Sequence, residues 1–346
     1  MSQMLEEIRQ QPETLARTLQ RELRRIEKFQ QVLARRKPRL AVLVARGTSD
    51  NAAQFGRYLI EITTGIPVSL AAPSISTLYD AKIDYRDALV IAISQSGEST
   101  DTNFVLEQAK KQGAITVGVT NNGRSSITRI AEHVFLVRAG KEKSVAATKT
   151  YTGQLLMMYL LAYALGAKIR IRDLQRLPDA VRVALGLEAE IVALAERYRF
   201  MDHAVVMGRG LNYSNALEFA LKMMETCYVI AERFSSADFQ HGPIAMVDQG
   251  FPVFLFAPAG VTWPGMKQVI GKLRVLNAET VIFTDRRNPE ACELATRLIS
   301  IPERLPELFT AIPYIVPAQL FAASLASQKG IDPDKPRTIH KITKTL

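Results

Sequence analysis

The chain repeats itself, and that constrains its fold more than any other feature. Val42-Leu43-Val44-Ala45 runs into Arg46-Gly47 and a helical stretch. Ala204-Val205-Val206-Met207 runs through Gly208 into Arg209-Gly210 and a second helical stretch, with Arg209 standing 163 residues after Arg46. The next strands keep the step: residues 88–93 end in Ser94, and residues 252–256 end in Ala257, again 163 apart. The run "ITVGVTNN" near Thr120 answers "TVIFTDRR" near Thr284 at an offset of 164. Each unit alternates short β-branched strands with helical segments, as in parallel sheets covered on both faces. The expected fold class is α/β, with two tandem flavodoxin-like, doubly wound parallel-sheet domains and an N-terminal helix.

Length agrees, since 346 residues suit two domains of about 150 residues plus extra helices. The expected divisions are an N-terminal helix over 1–36, a first domain over 37–168, a helical connector over 169–200 and a second domain with a C-terminal tail over 201–346. In the connector, Leu177, Val181, Leu185, Ile191, Leu194 and Tyr198 recur at roughly helical spacing between charged residues. Leu15, Leu19, Leu23 and Ile26 form an apolar stripe on the N-terminal helix, suited to packing on the body or on a second subunit.

A net charge of +10 raises the question of nucleic acid, but the basic residues are dispersed. The densest group, Arg21, Arg24, Arg25 and Lys28, lies opposite the apolar stripe without interleaved aromatics and reads as a solvated helix face. The charge suits anionic substrates. The first 30 residues are charged throughout and contain no apolar signal core. The most apolar run, 155–167, is shorter than the ~20 residues of a membrane span and reads as a buried helix. Cys227 and Cys292 stand far apart with no CxxC pairing, so neither disulfide nor zinc is implied. These features point to a cytoplasmic protein with no membrane or nucleic-acid partner, no metal and no cofactor.

Residues 94–100, SQSGEST, follow an apolar strand and precede a helical segment. A loop at such a junction aims backbone N–H groups at the positive end of a helix, and hydroxyls add donors, which together suit a phosphate dianion. A helix cap needs one hydroxyl. Here Ser94, Ser96, Ser99 and Thr100 supply four, with Thr48 and Ser49 ending the neighbouring strand. The matching loop of the second half, Ala257-Pro258-Ala259-Gly260, lacks them, so one phosphate site is expected.

Acid/base chemistry is concentrated in the second half. The apolar helix expected from Tyr213 to Tyr228 carries Glu218, Lys222 and Glu225 at i, i+4 and i+7, along one face. From spacing alone, a solvated salt-bridged face is the commoner outcome and a cavity lining the other. His241, before Gly242-Pro243, is a proton carrier of suitable intrinsic pKa if it meets a carboxylate and a lysine.

The pieces "GTS", "SQSGES", "VAATKT", "ALEFALKMMET", "HGP" and "DKPRTIHKITKTL", in this order from Leu40 to Leu346, resemble the tandem sugar isomerase (SIS) domains of glucosamine-6-phosphate synthase. The resemblance implies a sugar-phosphate substrate bound by Thr48, Ser49, Ser94, Gln95, Ser96 and Ser99, with Val145 and Ala146 along the sugar. It implies Glu225 as the base moving a proton between C1 and C2, His241 as the ring-opening group, and Lys222 and Lys341 as cations at the open-chain carbonyl or imine. It also implies a homodimer, because in that family the histidine reaches the partner's site.

Two departures from the synthases stand out. They carry a glutaminase domain with a nucleophilic Cys after the initiator Met, whereas Ser2 is the second residue here. Arg46 stands where they tend to have Cys. The expectation is therefore a stand-alone deaminase that converts glucosamine 6-phosphate to fructose 6-phosphate and ammonia. The closest alternative is a fructosamine 6-phosphate deglycase of the same fold, with the discriminating pocket around residues 73–79. A non-catalytic sugar-phosphate sensor is a further reading, but the N-terminal segment looks like one long helix, not a helix-turn-helix. A nicotinamide enzyme is disfavoured because Tyr213 stands where the third glycine after Gly208-Arg209-Gly210 should be, although Glu232 has suitable spacing.

Overall fold

A computed structural model describes residues 2–339 and divides into two compact units. One unit comprises residues 13–142 and 149–176. The other comprises the N-terminal residues up to Pro12, the segment Lys143–Thr148 and Leu177–Thr338.

The first unit is built on β1 (Leu40–Val44), β2 (Val68–Leu70), β3 (Ala88–Ser94), β4 (Ile115–Thr120) and β5 (His133–Leu136). They pair in the order β2-β1-β3-β4-β5, all parallel. Every residue of β3 and β4 is buried, as expected for strands covered on both faces. Val42, Val44, Val90 and Ala92 meet Val105, Leu106 and Ala109 of the helix Thr100–Lys111 in one core. Each large aliphatic chain buried there contributes about 1.5–3 kcal/mol. The helix Lys149–Ala164 is sheathed almost entirely, which accounts for its apolar sequence without a membrane. Among the described residues no helix is long and apolar enough to cross one.

The second unit repeats this plan with β6 (His203–Gly208), β7 (Ile230–Ser235), β8 (Pro252–Phe256), β9 (Glu279–Asp285) and β10 (Arg297–Ile301). Its order, β10-β9-β8-β6-β7, is the same arrangement counted from the opposite edge, again wholly parallel. Both sheets are thus flavodoxin-like and reverse strand order between their first and third strands. The duplication extends to backbone conformation: Gly47 and Gly210, 163 residues apart, have φ of 55° and 58°. Phe219 anchors this unit's core, edge-on to Phe254, Phe256, Phe283 and Phe321 at centroid distances of 5.3 to 6.3 Å.

The single N-terminal helix expected from sequence is two helices, Gln3–Arg9 and Gln11–Arg36. Pro12 has no N–H for the Ile8 carbonyl, so the ladder breaks ahead of it. The Gln11 side-chain amide donates to that carbonyl instead, at 3.0 Å. Arg21, Arg24, Arg25 and Lys28 are exposed, while Leu15, Leu19 and Ile26 are buried.

Candidate active site

The crevice where strand order reverses in the first sheet lies between the carboxyl ends of β1 and β3, the usual ligand position in such sheets. Thr48 and Ser49 open the helix Thr48–Thr64 on the β1 side, and residues 94–99 cross from β3 to the helix Thr100–Lys111. The two strands are hydrogen-bonded neighbours, with Val44 in register with Ala92. The structure thereby brings Thr48, Ser49, Ser94, Gln95, Ser96 and Ser99 to one edge of one sheet.

The loop is tied down before any ligand arrives. Ser94 Oγ accepts from the Gly97 N–H at 3.1 Å, and Ser96 Oγ from the Glu98 N–H at 3.3 Å. Ser99 Oγ lies 2.9 Å from Thr102 Oγ1. Glu98 accepts from the Ser126 N–H at 3.0 Å and from its hydroxyl at 2.6 Å. The Gln95 carbonyl accepts from the Asn121 N–H at 3.1 Å. Gly97 sits at φ 71°, and a Cβ there would fall 2.1 Å from Ser125 Oγ, so the turn excludes any side chain. Ser49 Oγ accepts from Gln154 Nε2 at 2.9 Å. That bond is possible because Gly56 lets its helix approach Lys149–Ala164; a Cβ on Gly56 would lie 2.8 Å from Met158 Sδ.

Arg46 ends the β1 turn half-exposed, with Nη2 2.7 Å from the buried carboxylate of Asp101. This places a guanidinium on the rim of the crevice, fixed by a residue in the first turn of the helix that follows the loop. Val145 and Ala146 belong to the second unit. Their segment is held by Glu7, whose carboxylate accepts from the backbone N–H of Lys143 at 2.5 Å and of Ser144 at 3.1 Å.

In the second unit the charged stripe of the helix Tyr213–Cys227 is not the solvated face that spacing alone favours. Lys222 and Glu218 have no exposed surface, and the Glu225 side chain retains 25%. Lys222 Nζ lies 2.6 Å from Glu225 Oε2 and 3.4 Å from Glu218 Oε1. Burial alone would depress the lysine pKa, but the two carboxylates outweigh it and raise the value, so the ammonium persists at neutral pH. Glu218 was on the stripe but had no role assigned from sequence; its i, i+4 spacing to Lys222 was the available signal.

The chain leaves this helix through Tyr228, in left-handed conformation at φ 54°. The Tyr228 hydroxyl accepts from the Arg337 N–H at 2.8 Å, and the Arg337 guanidinium stands 4.2 Å from the centre of the ring. The C-terminal tail therefore passes three residues from Glu225. Lys341, further along that tail, lies outside the described residues.

His241 is not brought to Glu225 within the unit. It lies on an exposed turn after the helix Ser236–Phe239, beyond the carboxyl end of β7. Glu225 precedes the amino end of the same strand, whose six residues span about 17 Å of sheet. Among the described residues, no group of three or more His, Cys, Asp or Glu side chains is arranged to hold a metal ion.

The SIS domain family model matches residues 35–164 and again residues 199–327. Glutamine–fructose-6-phosphate aminotransferase (isomerizing) from Pyrococcus horikoshii is 36% identical over 346 residues, covering 98% of this chain and 57% of that protein. The protein of the same name from Mycolicibacterium smegmatis is 35% identical over 357 residues, covering 98% of this chain and 56% of its own length. The chain thus spans a little over half the length of these curated relatives. Among solved structures, the C-terminal domain of glucosamine-fructose-6-phosphate aminotransferase from Francisella tularensis superposes with a TM-score of 0.88 at 28% identity, covering 97% of this chain and 98% of that one. A phosphosugar isomerase, described as putative, from Silicibacter pomeroyi gives 0.86 at 30% identity, covering 96% and 100%. Matched in both halves of the sequence by one model, and built as two sheets of identical strand order, the chain belongs to the SIS domain family.

Proposed function

We propose that the chain is a phosphosugar aldose–ketose isomerase acting on an amino sugar, converting glucosamine 6-phosphate and water to fructose 6-phosphate and ammonia. The observation that carries this reading is the buried Glu218–Lys222–Glu225 cluster. An ammonium kept charged beside a partly exposed carboxylate is the pairing that proton transfer next to a carbonyl or imine requires. The names of the relatives support the substrate class, since they join fructose 6-phosphate, an amino group and isomerisation.

In this reading the phosphate is held by Ser94, Gln95, Ser96 and Ser99 with Thr48 and Ser49, and Val145 and Ala146 flank the sugar. His241 assists ring opening. Glu225 removes the proton from C2 of the open-chain aldehyde, and the resulting enolamine is protonated at C1 to give a C2 imine. Water adds to that imine and ammonia leaves, giving the ketose. Lys222 neutralises negative charge as it develops, and Lys341 is assigned the second cationic role. The reading includes a homodimer, because Glu225 and His241 of one chain lie at opposite ends of β7.

The decisive assay is release of ammonia from glucosamine 6-phosphate, with no nitrogen donor added and Glu225→Gln as control. Ammonia and fructose 6-phosphate in equal amounts support the reading. Turnover of a fructosamine 6-phosphate with none of glucosamine 6-phosphate would replace it with the deglycase alternative, for which Arg46 on the rim of the crevice is the relevant observation: a guanidinium there suits the carboxylate of an amino-acid adduct.

A further inference from the structure

The second sheet has its own crevice between β6 and β8, and its lining follows the first in register. Gly210 shares the positive φ of Gly47, Gly260 falls 163 residues after Gly97, and the helices that follow begin at Thr100 and Trp263. The serines are gone, but the donors at the end of the loop are engaged. The Val261 N–H donates to Glu307 Oε2 at 2.7 Å, and the Thr262 hydroxyl donates to Glu307 Oε1. In sequence these two donors stand 163 residues after Glu98 and Ser99 of the first repeat, although the loop backbones differ, with Gly97 at φ 71° and Gly260 at φ 154°.

Glu307 is not a local cap. It arrives from 45 residues away in sequence, on the short turn Glu307–Phe309. Its placement is enforced: the Thr310 hydroxyl donates to the Glu307 carbonyl at 2.9 Å and accepts from Asn212 Nδ2, on the β6 side of the crevice, at 2.7 Å. The space it fills is moulded to it, since a Cβ on Gly260 would fall 1.9 Å from Glu307 Oε2. A carboxylate gripped through both oxygens by an N–H and an O–H, at the start of the 13-residue helix Trp263–Val275, is bound as an oxyanion ligand is bound.

We propose that Glu307 is a resident occupant of the second repeat's oxyanion cradle, closing that crevice to phosphate, and that removing this carboxylate opens the cradle to inorganic phosphate or a phosphate monoester. The proposal uses the reading of residues 94–100 as a phosphate cradle only through the shared register.

The test is the stoichiometry of inorganic phosphate binding, by equilibrium dialysis, in the wild-type chain, in Glu307→Ala, in Ser96→Ala/Ser99→Ala and in the triple variant. Glu307→Ala is expected to bind one more phosphate per chain than its parent in both backgrounds, and Glu307→Asp none, because it keeps the charge. A folded Glu307→Ala with its parent's stoichiometry, or a wild-type chain that already binds two, overturns the proposal. Should Glu307→Ala fail to fold, Glu307→Ser vacates the charge while leaving a partner for the Val261 N–H and is read in the same way. Loss of phosphate in Ser96→Ala/Ser99→Ala reports on the first loop alone, so failure of the functional reading and failure of this proposal are seen in different samples.

Discussion

The ammonium of Lys222 lies 2.6 Å from a carboxylate oxygen of Glu225, one turn further along the same helix, while Glu218 closes on it from the other side at 3.4 Å. Of the three, only Glu225 keeps appreciable exposure. Glu218 and Lys222 form the sealed part of the cluster, and Glu225 is the member open to solvent.

The sealed and open parts respond differently to substitution. Lys222→Met takes the ammonium 3.4 Å away from the buried Glu218 carboxylate, and breaking a buried ion pair by removing one partner costs about 3–5 kcal/mol. Glu225→Gln keeps an oxygen for Lys222 to donate to, leaves the Glu218 carboxylate in place and lies partly in solvent, so it is expected to destabilise less than Lys222→Met. Its turnover should fall about 10²–10⁴-fold. Urea denaturation beside the ammonia assay separates the two, and equal destabilisation of both variants would refute the division.

The loop after β3 makes a binding prediction. Each hydrogen bond from a hydroxyl to a charged phosphate is worth about 1.5–3 kcal/mol, so Ser96→Ala or Ser99→Ala is expected to weaken fructose 6-phosphate binding about 10- to 100-fold. Gly97→Ala should abolish binding, because its Cβ collides with Ser125 Oγ in a left-handed turn. Calorimetric titration measures all three, and unchanged affinity in the serine variants would remove the loop from the site.

The separation of Glu225 and His241 along β7 predicts complementation. Glu225→Gln and His241→Ala are each expected to be nearly inactive. In the proposed homodimer, an equal mixture should after subunit exchange recover about a quarter of wild-type activity, because half of the random dimers would be mixed and each mixed dimer would have one intact site. If exchange is demonstrated by mass spectrometry without recovered activity, the histidine acts elsewhere.

His133, at the start of β5, packs against Phe29 with ring centroids 4.6 Å apart and the rings tilted by 51°, and burial lowers its pKa; Glu132 opposes that shift, and Arg36 adds to it. The folded state therefore binds this proton less tightly than the unfolded chain, whose histidine titrates near 6.5. The resulting stability is present above about pH 6.5 and is lost as pH falls through that value toward the depressed folded one. His133→Phe should flatten the dependence of the urea midpoint between about pH 7.5 and 5 relative to wild type. Identical slopes would show that His133 does not titrate differently on folding.

The step of 163 residues located the paired strands and turns because β-branched runs closed by glycine are local signals. Strand order was legible for the same reason, since two equal units must use one topology. Other features depend on what meets across the fold. Spacing placed Glu218, Lys222 and Glu225 on one face, but whether that face meets water is decided by the elements packed against it. Glu307 could not be read as an oxyanion partner, because Val261 and Thr262 lie some 45 residues before it. The helix break follows from the missing N–H of Pro12, a single residue that the apolar stripe over Leu15, Leu19, Leu23 and Ile26 does not report.

Gly47 and Gly210 both keep a positive φ, whereas the loops beside them differ chemically. The geometry of the turn is demanded by each sheet, so drift at either glycine is penalised alike. The serines of residues 94–97 have no counterpart in Ala257-Pro258-Ala259-Gly260 of the later copy, where the Glu307 carboxylate meets the end of the loop instead. A saturation mutagenesis map of the chain would accordingly show two intolerant glycines, beside one loop that depends on its serines and another that depends on Gly260 and Glu307.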